Sequence, residues 1–386
     1  MEEIMTTKTR DQHLFGPGPK RILALDGGGI RGILTVQILK KIEAIVRERL
    51  GNPSATLSDY FDLIGGTSTG AIIAAGLSLG WTTDRVDRLY KQLGDSIFES
   101  SLFSWGAFRP KFSAEPLREA LKGEFGDTRL GDDDLRTGLA VMAKRLDTGS
   151  PWVLHNNPRG KYFHQRPGSN AVPNKDYLLR DVVRASTAAP HYFEPEEIQV
   201  TTNLTGAFVD GGVSPHNNPA LQLFMLATLE GYGLDWSTGA NRILLVSLGT
   251  GSAELKLETK EVMDMKALIL AGRSLATLMD DASALNELVL QWLSRSPTAR
   301  LIDREVGDLS NDVLGGGSPW LTYLRYESWL DSDWLRRVLR LDYTDSQLEA
   351  LLAMDKPENM EDLIRIGEAA GEFLVEPRHF GSEFDV

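Results

Sequence analysis

The chain has 386 residues, 42% hydrophobic and 25% charged, a composition that fits an ordinary globular protein and excludes collagen, coiled coil and wholesale disorder. Its net charge of −13 and pI near 5.1 leave no broad basic footprint for a nucleic acid polymer. Having no cysteine, it can form no disulfide framework, thiolate nucleophile or sulfur-held zinc site.

The segment from Met1 to His13 is acidic then mixed, without the basic start and apolar core of a secretory signal. Apolar stretches such as Ala71 to Trp81 fall short of the roughly 18 to 20 residues a membrane span needs. The expectation is a cytoplasmic chain that meets any bilayer from the water side.

Arg21 to Leu25 reads as a buried strand running into glycines, and the spacing of Ile33, Val36, Leu39, Ile42 and Val46 predicts a helix stopped by Gly51 and Pro53. Tyr60 to Ile64 is a second predicted strand, followed by a helix from Ala71 to Gly80. Asp84 to Ile97 reads as helix, and Leu102 to Phe112 as an aromatic loop that suits either a core or a lid at an apolar cleft. Asp132, Asp133 and Asp134 read as a solvated turn and helix start. Strands follow at Gly138 to Lys144, Trp152 to His155, Ala207 to Val209 and Arg242 to Leu248, with helices at Tyr177 to Ala188 and Asn218 to Leu229. This alternation predicts a three-layer α/β domain over residues 20–255 with a mostly parallel central sheet. From about Leu255 the strand signals fade, and 256–386 reads as a helical C-terminal region that packs on the domain or forms a subdomain.

Three loops carry chemistry. Gly66-Thr67-Ser68-Thr69-Gly70 joins a predicted strand to a predicted helix, the context of a nucleophile elbow, in which glycines make room for a strained serine. A small-residue turn with a capping serine would use the same letters. Asp26-Gly27-Gly28-Gly29-Ile30-Arg31-Gly32 also links strand to helix, and its amides can converge on an anion. Gly27, Gly29 and Gly32 also satisfy the dinucleotide pattern, but the acidic residue expected at the end of a following strand is missing, since Asn52 to Ser58 is no strand. Asp210-Gly211-Gly212 places a carboxylate where a strand ends, or is simply a turn.

In this order, D-G-G-G-x-R-G, G-x-S-x-G and D-G-G resemble the patatin-like phospholipase family over roughly Arg21 to Gly251, as do Ala185 to Phe193 and Ser247 to Gly251. The resemblance implies a Ser-Asp dyad without cofactor or metal, with Ser68 forming an acyl-enzyme and Asp210 acting as base. Gly28 and Gly29, with neighbouring amides and Arg31, would hold the oxyanion. The implied reaction is hydrolysis of glycerolipid carboxyl esters to free fatty acid and lysolipid, on a membrane phospholipid or other glycerolipid visited transiently at the membrane surface. An ordinary aspartate is a weak base, so the site must raise its pKa or couple proton transfer to attack. Of the six histidines only His216 lies near a motif, and it reads as loop chemistry.

Some bacterial members of this family are anti-phage effectors switched on by a cyclic nucleotide. The resemblance extends the expectation to such an activator, to a homo-oligomeric assembly, and to a site near Arg273, Arg295 and Arg300, whose plain reading is ordinary surface arginines. The alternative from another class is a non-hydrolytic nucleotide-binding regulator using Gly27 to Gly32.

Overall fold

The computed structural model describes residues 8–94, 112–190, 192–253, 257–312, 314 and 317–385. The aromatic positions Phe103, Trp105 and Phe108, the end of the helix expected to reach Ile97, and His191 lie outside the described residues.

A strand of six buried residues, Lys20–Leu25 (β1), forms the middle of the sheet because apolar side chains at successive positions can face both sides. Leu23 and Leu25 enter one hydrophobic core, and Ile22 and Ala24 enter the other. The helix Gly32–Leu50 (α1) covers the first face and stops at Gly51, whose φ of 59° needs no Cβ. Leu63–Thr67 (β2) then runs parallel to β1, with Leu25 level with Gly66. It starts later than Tyr60 because Thr56 and Asp59 form a capping box that turns Leu57–Tyr60 into a helical turn.

Thr69–Ser78 (α2) and Thr83–Leu93 (α3) follow, then Glu115–Phe125 (α4), a helix the sequence reading left unassigned. Asp132 caps a turn by accepting from the Arg129 N–H, but no helix starts there. Gly138–Arg145 (β3) pairs with β2 in parallel and with Ser150–His155 (β4) in antiparallel. Leu179–Ser186 (α5) leads to a hairpin of Glu196–Thr201 (β5) and Leu204–Asp210 (β6), and the end of β6 returns to the end of β3. β5 was not expected, since only Ile198 and Val200 of its six residues are apolar.

Ala220–Thr228 (α6) packs against the second face, and Ile243–Leu248 (β7) pairs in parallel with β1. The C-terminal region is helical, with Ala267–Leu293 (α7), Asp345–Leu351 (α8) and Met360–Leu374 (α9). It also adds Ser294–Arg295 (β8) and Leu321–Tyr326 (β9), parallel to β7, so the sheet runs past residue 255. The resulting order is β5-β6-β3-β2-β1-β7-β9-β8, with β4 beside β3. α9 lies on α1, where Gly367 sits so near the Leu34 carbonyl that a Cβ would collide with it. The fold is thus a three-layer α/β structure with a mostly parallel sheet. Its loops after β1, β2 and β7 open together at one edge, where chain order reverses and α/β sheets place ligands.

Candidate active site

Ser68 sits between β2 and α2 with φ 55° and ψ −127°, a conformation few non-glycine residues adopt. The neighbouring glycines make it attainable, since a Cβ on Gly66 would overlap the Gly70 carbonyl and one on Gly70 would overlap the Leu25 carbonyl. Its N–H donates to Ser186 Oγ at 2.9 Å, and that hydroxyl donates to the Met142 carbonyl at 2.5 Å. The elbow is therefore tied to the end of α5 and to β3 at Met142, with its hydroxyl at the positive end of α2.

Asp210 closes β6 opposite Ala143. A Cβ on Gly211 would overlap the Met142 carbonyl, so the glycine lets this strand end approach the elbow. Asp210 is 4% exposed, lines the same cavity as Ser68, and its carboxylate accepts the Gly212 N–H at 2.7 Å. Burial pushes its pKa up to about 6, against the pull of the nearby Ser68 side chain, the Gly212 N–H and Arg184. A serine hydroxyl beside such a carboxylate has a proton acceptor suited to neutral pH.

Gly27, Gly28 and Gly29 line the same cavity as Ser68 and Asp210. Gly27 N–H is used by the Asn217 carbonyl, while Gly28 N–H makes only a long 3.3 Å bond to Thr69 Oγ1. Gly29 has φ 60°, and its carbonyl accepts Tyr90 Oη–H at 3.1 Å. The Arg31 guanidinium is buried elsewhere, donating to the Gly251 carbonyl at 2.9 Å, and is not part of the cavity wall. His216 presents its backbone carbonyl to Thr67 Oγ1, and among the described residues no histidine lines the cavity.

The cavity holds about 370 Å³, within the range of small-molecule sites, and its wall beyond the polar loops is apolar: Ile30, Ile72, Leu93, Leu117, Phe193 and Met354. Sequence reading missed Ser186 as an elbow partner, although it lay inside the quoted segment from Ala185. It also missed Ile72, Leu117 and Met354, which reach one space from distant parts of the chain. Of the aromatic loop, Phe112 is buried and stacked on Tyr192. Among the described residues no cluster of His, Asp or Glu could hold a metal, and no helix is long and apolar enough to cross a membrane. Arg295 pairs with Glu383 and Arg300 with Glu287, while Arg273 is exposed on α7.

Comparison with known proteins gives three findings. The chain is 30% identical to Patatin-T5 of Solanum tuberosum over 247 residues and 31% identical to Patatin group J-1 of the same plant over 248. Each match covers 60% of this chain and 60% of the relative, so the chain spans about 60% of the length of these relatives. A crystal structure of VipD from Legionella pneumophila aligns over 90% of this chain and 67% of that one, at 13% identity and a TM-score of 0.35, too distant to argue from. The family model for patatin-like phospholipase matches residues 23–224, more than half of the chain and the whole of the Ser68 and Asp210 geometry. This chain belongs to the patatin-like phospholipase family.

Proposed function

We propose that the chain is a lipid acyl hydrolase in which Ser68 is the nucleophile and Asp210 the base, cleaving glycerolipid carboxyl esters to fatty acid and lysolipid. The observation that carries the reading is the placement of Ser68, strained at its elbow, and the buried Asp210 carboxylate in the wall of one largely apolar cavity. Ser68 Oγ attacks the ester carbonyl while its proton passes to Asp210. The tetrahedral oxyanion is held by the Gly28 and Gly29 amides, positioned donors of the kind that lower such barriers by several kcal/mol in other enzymes. Arg31 contributes through the loop it anchors, since its guanidinium faces Gly251.

Collapse of the intermediate expels the lysolipid alkoxide, which takes the proton from Asp210 and leaves the acyl group on Ser68. Water then attacks that ester, gives a proton to Asp210, and releases the fatty acid as the proton returns to Ser68 Oγ. The cavity wall suits an acyl chain, and the substrate would be drawn from a membrane surface. A cyclic-nucleotide switch rests on no comparable observation, as two of the three arginines that motivate it already hold carboxylates.

The test is labelling by a fluorophosphonate probe together with fatty-acid release from phosphatidylcholine vesicles. Modification at Ser68 and turnover by the unmodified chain are expected. A properly folded chain that is neither labelled nor active would overturn the reading, and would leave a non-hydrolytic ligand-binding role for the Gly27 to Gly32 loop.

A further inference from the structure

Behind the glycine loop lies a buried set of charges that the acyl-transfer steps do not use. Asp26, the residue that opens the loop at the end of β1, is 5% exposed, and its Oδ2 accepts Arg325 Nη2 at 2.7 Å. Among the described residues Arg325 is the cation within ion-pair reach of Asp26, whose Oδ1 is buried without a hydrogen-bond partner. Arg325 comes from β9, outside the segment that matches the family, and it also donates to Ser247 Oγ at 2.8 Å and Glu327 Oε2 at 2.5 Å. Glu327 in turn accepts the Gly251 N–H at 3.0 Å, and Gly251 accepts Arg31. Thr250, beside it, donates to the Gly27 carbonyl and fills the space where a Gly28 Cβ would lie. One guanidinium thus ties the start of the glycine loop to the loop after β7.

We infer that Arg325 is a positioning residue that fixes the Gly28 and Gly29 amides for the oxyanion through its ion pair with Asp26, an inference that rests on the hydrolase reading above. The geometry favours this over a purely structural pair. A buried ion pair adds little stability against apolar residues of equal volume, whereas this one is joined directly to the backbone that carries the donors. Burial also pushes the Asp26 carboxyl up against the pull of Arg325, so the carboxylate depends on its partner to stay charged. The role makes the C-terminal region part of the site's framework.

The test uses the full chain with Arg325→Met, Arg325→Lys and the double variant Asp26→Asn/Arg325→Met, which leaves Asp26 without a lone buried charge. Circular dichroism and thermal melting establish folding. Turnover of p-nitrophenyl butyrate and binding of an alkyl boronic acid, whose Ser68 adduct is a tetrahedral anion, read the site. Expected is a fall in kcat of roughly 10- to 100-fold in the Met variants with KM within about threefold, matched by a similar loss of boronate affinity. Arg325→Lys should recover part of both. A folded Met variant with wild-type kcat and boronate affinity overturns the clamp, as does a fall in kcat with boronate binding untouched. If Arg325→Met does not fold, the double and Lys variants decide by the same two readouts. Failure of the hydrolase reading looks different, because the unmodified chain itself would then lack both turnover and Ser68 labelling.

Discussion

Ser186 Oγ stands between two backbone groups, accepting the Ser68 N–H at 2.9 Å and donating to the Met142 carbonyl at 2.5 Å. One fully buried hydroxyl therefore holds the strained elbow against β3. Ser186→Ala should leave both groups unsatisfied, at a cost of about 1 to 3 kcal/mol in stability. It should also lower kcat/KM on the order of 10- to 100-fold, because small displacements of a nucleophile are costly. Urea unfolding and ester hydrolysis, measured side by side, check both numbers. Full activity with reduced stability would mean that the elbow keeps its shape without this tie.

Ser68→Ala and Asp210→Asn should each abolish detectable turnover, and His216→Ala should not, since the His216 ring is outside the cavity wall. The Asp210 variant carries a second signature. In the unmodified chain the folded Asp210 pKa of about 6 lies above the ordinary value of 3.8, so folding favours the protonated form and stability falls as pH rises from 3.8 to 6. Above pH 6 the ionised carboxylate costs on the order of 3 kcal/mol, which the neutral amide avoids. Asp210→Asn should therefore melt higher than the unmodified chain at pH 8, with the gain vanishing near pH 4. Equal melting temperatures at both pH values would contradict the raised pKa.

On the proposed mechanism the same group would set the pH profile of activity. Only ionised Asp210 can accept the serine proton, so kcat/KM should fall about tenfold per pH unit below an apparent pKa near 6. The profile should be flat through pH 7 to 8. EDTA should not change it, because the proposed mechanism uses backbone donors and no metal ligand. An acid limb centred near 4 would mean that the carboxylate is solvated when the enzyme works.

These residues divide by how they could be read. Ser68, Gly66 and Gly70 were legible because a strained elbow restricts its neighbours to glycine, and restriction leaves a mark in sequence. Asp210 was legible through Gly211, which the close approach to Met142 requires. Leu321–Tyr326 was not, because LTYLRY follows a glycine-rich stretch in a region dominated by helical spacing, and its pairing with β7 is a long-range contact. Arg325 was hidden for the same reason, as nothing near residue 325 in the chain points to residue 26. The strand expected from Tyr60 failed locally, where a capping box outweighed β propensity.

Ile72 lies one helical turn beyond Ser68 on α2 and lines the cavity beside it, so its side chain limits the room next to the acyl carbonyl. Leu117 from α4 and Met354 from the segment after α8 line the same cavity. Ile72→Trp should shorten the acyl chain that fits rather than damage the chemistry, since Ser68 and Asp210 are untouched. Each methylene kept out of the cavity forgoes about 0.8 kcal/mol of burial, so exclusion of three amounts to roughly 50-fold in kcat/KM. Across a series of p-nitrophenyl esters, the variant should hold its rate on acetate and butyrate within about threefold and lose the longer members progressively. A uniform loss at every chain length would instead indicate that the larger ring had shifted α2 and the nucleophile with it, and the apolar wall would then not be the acyl site.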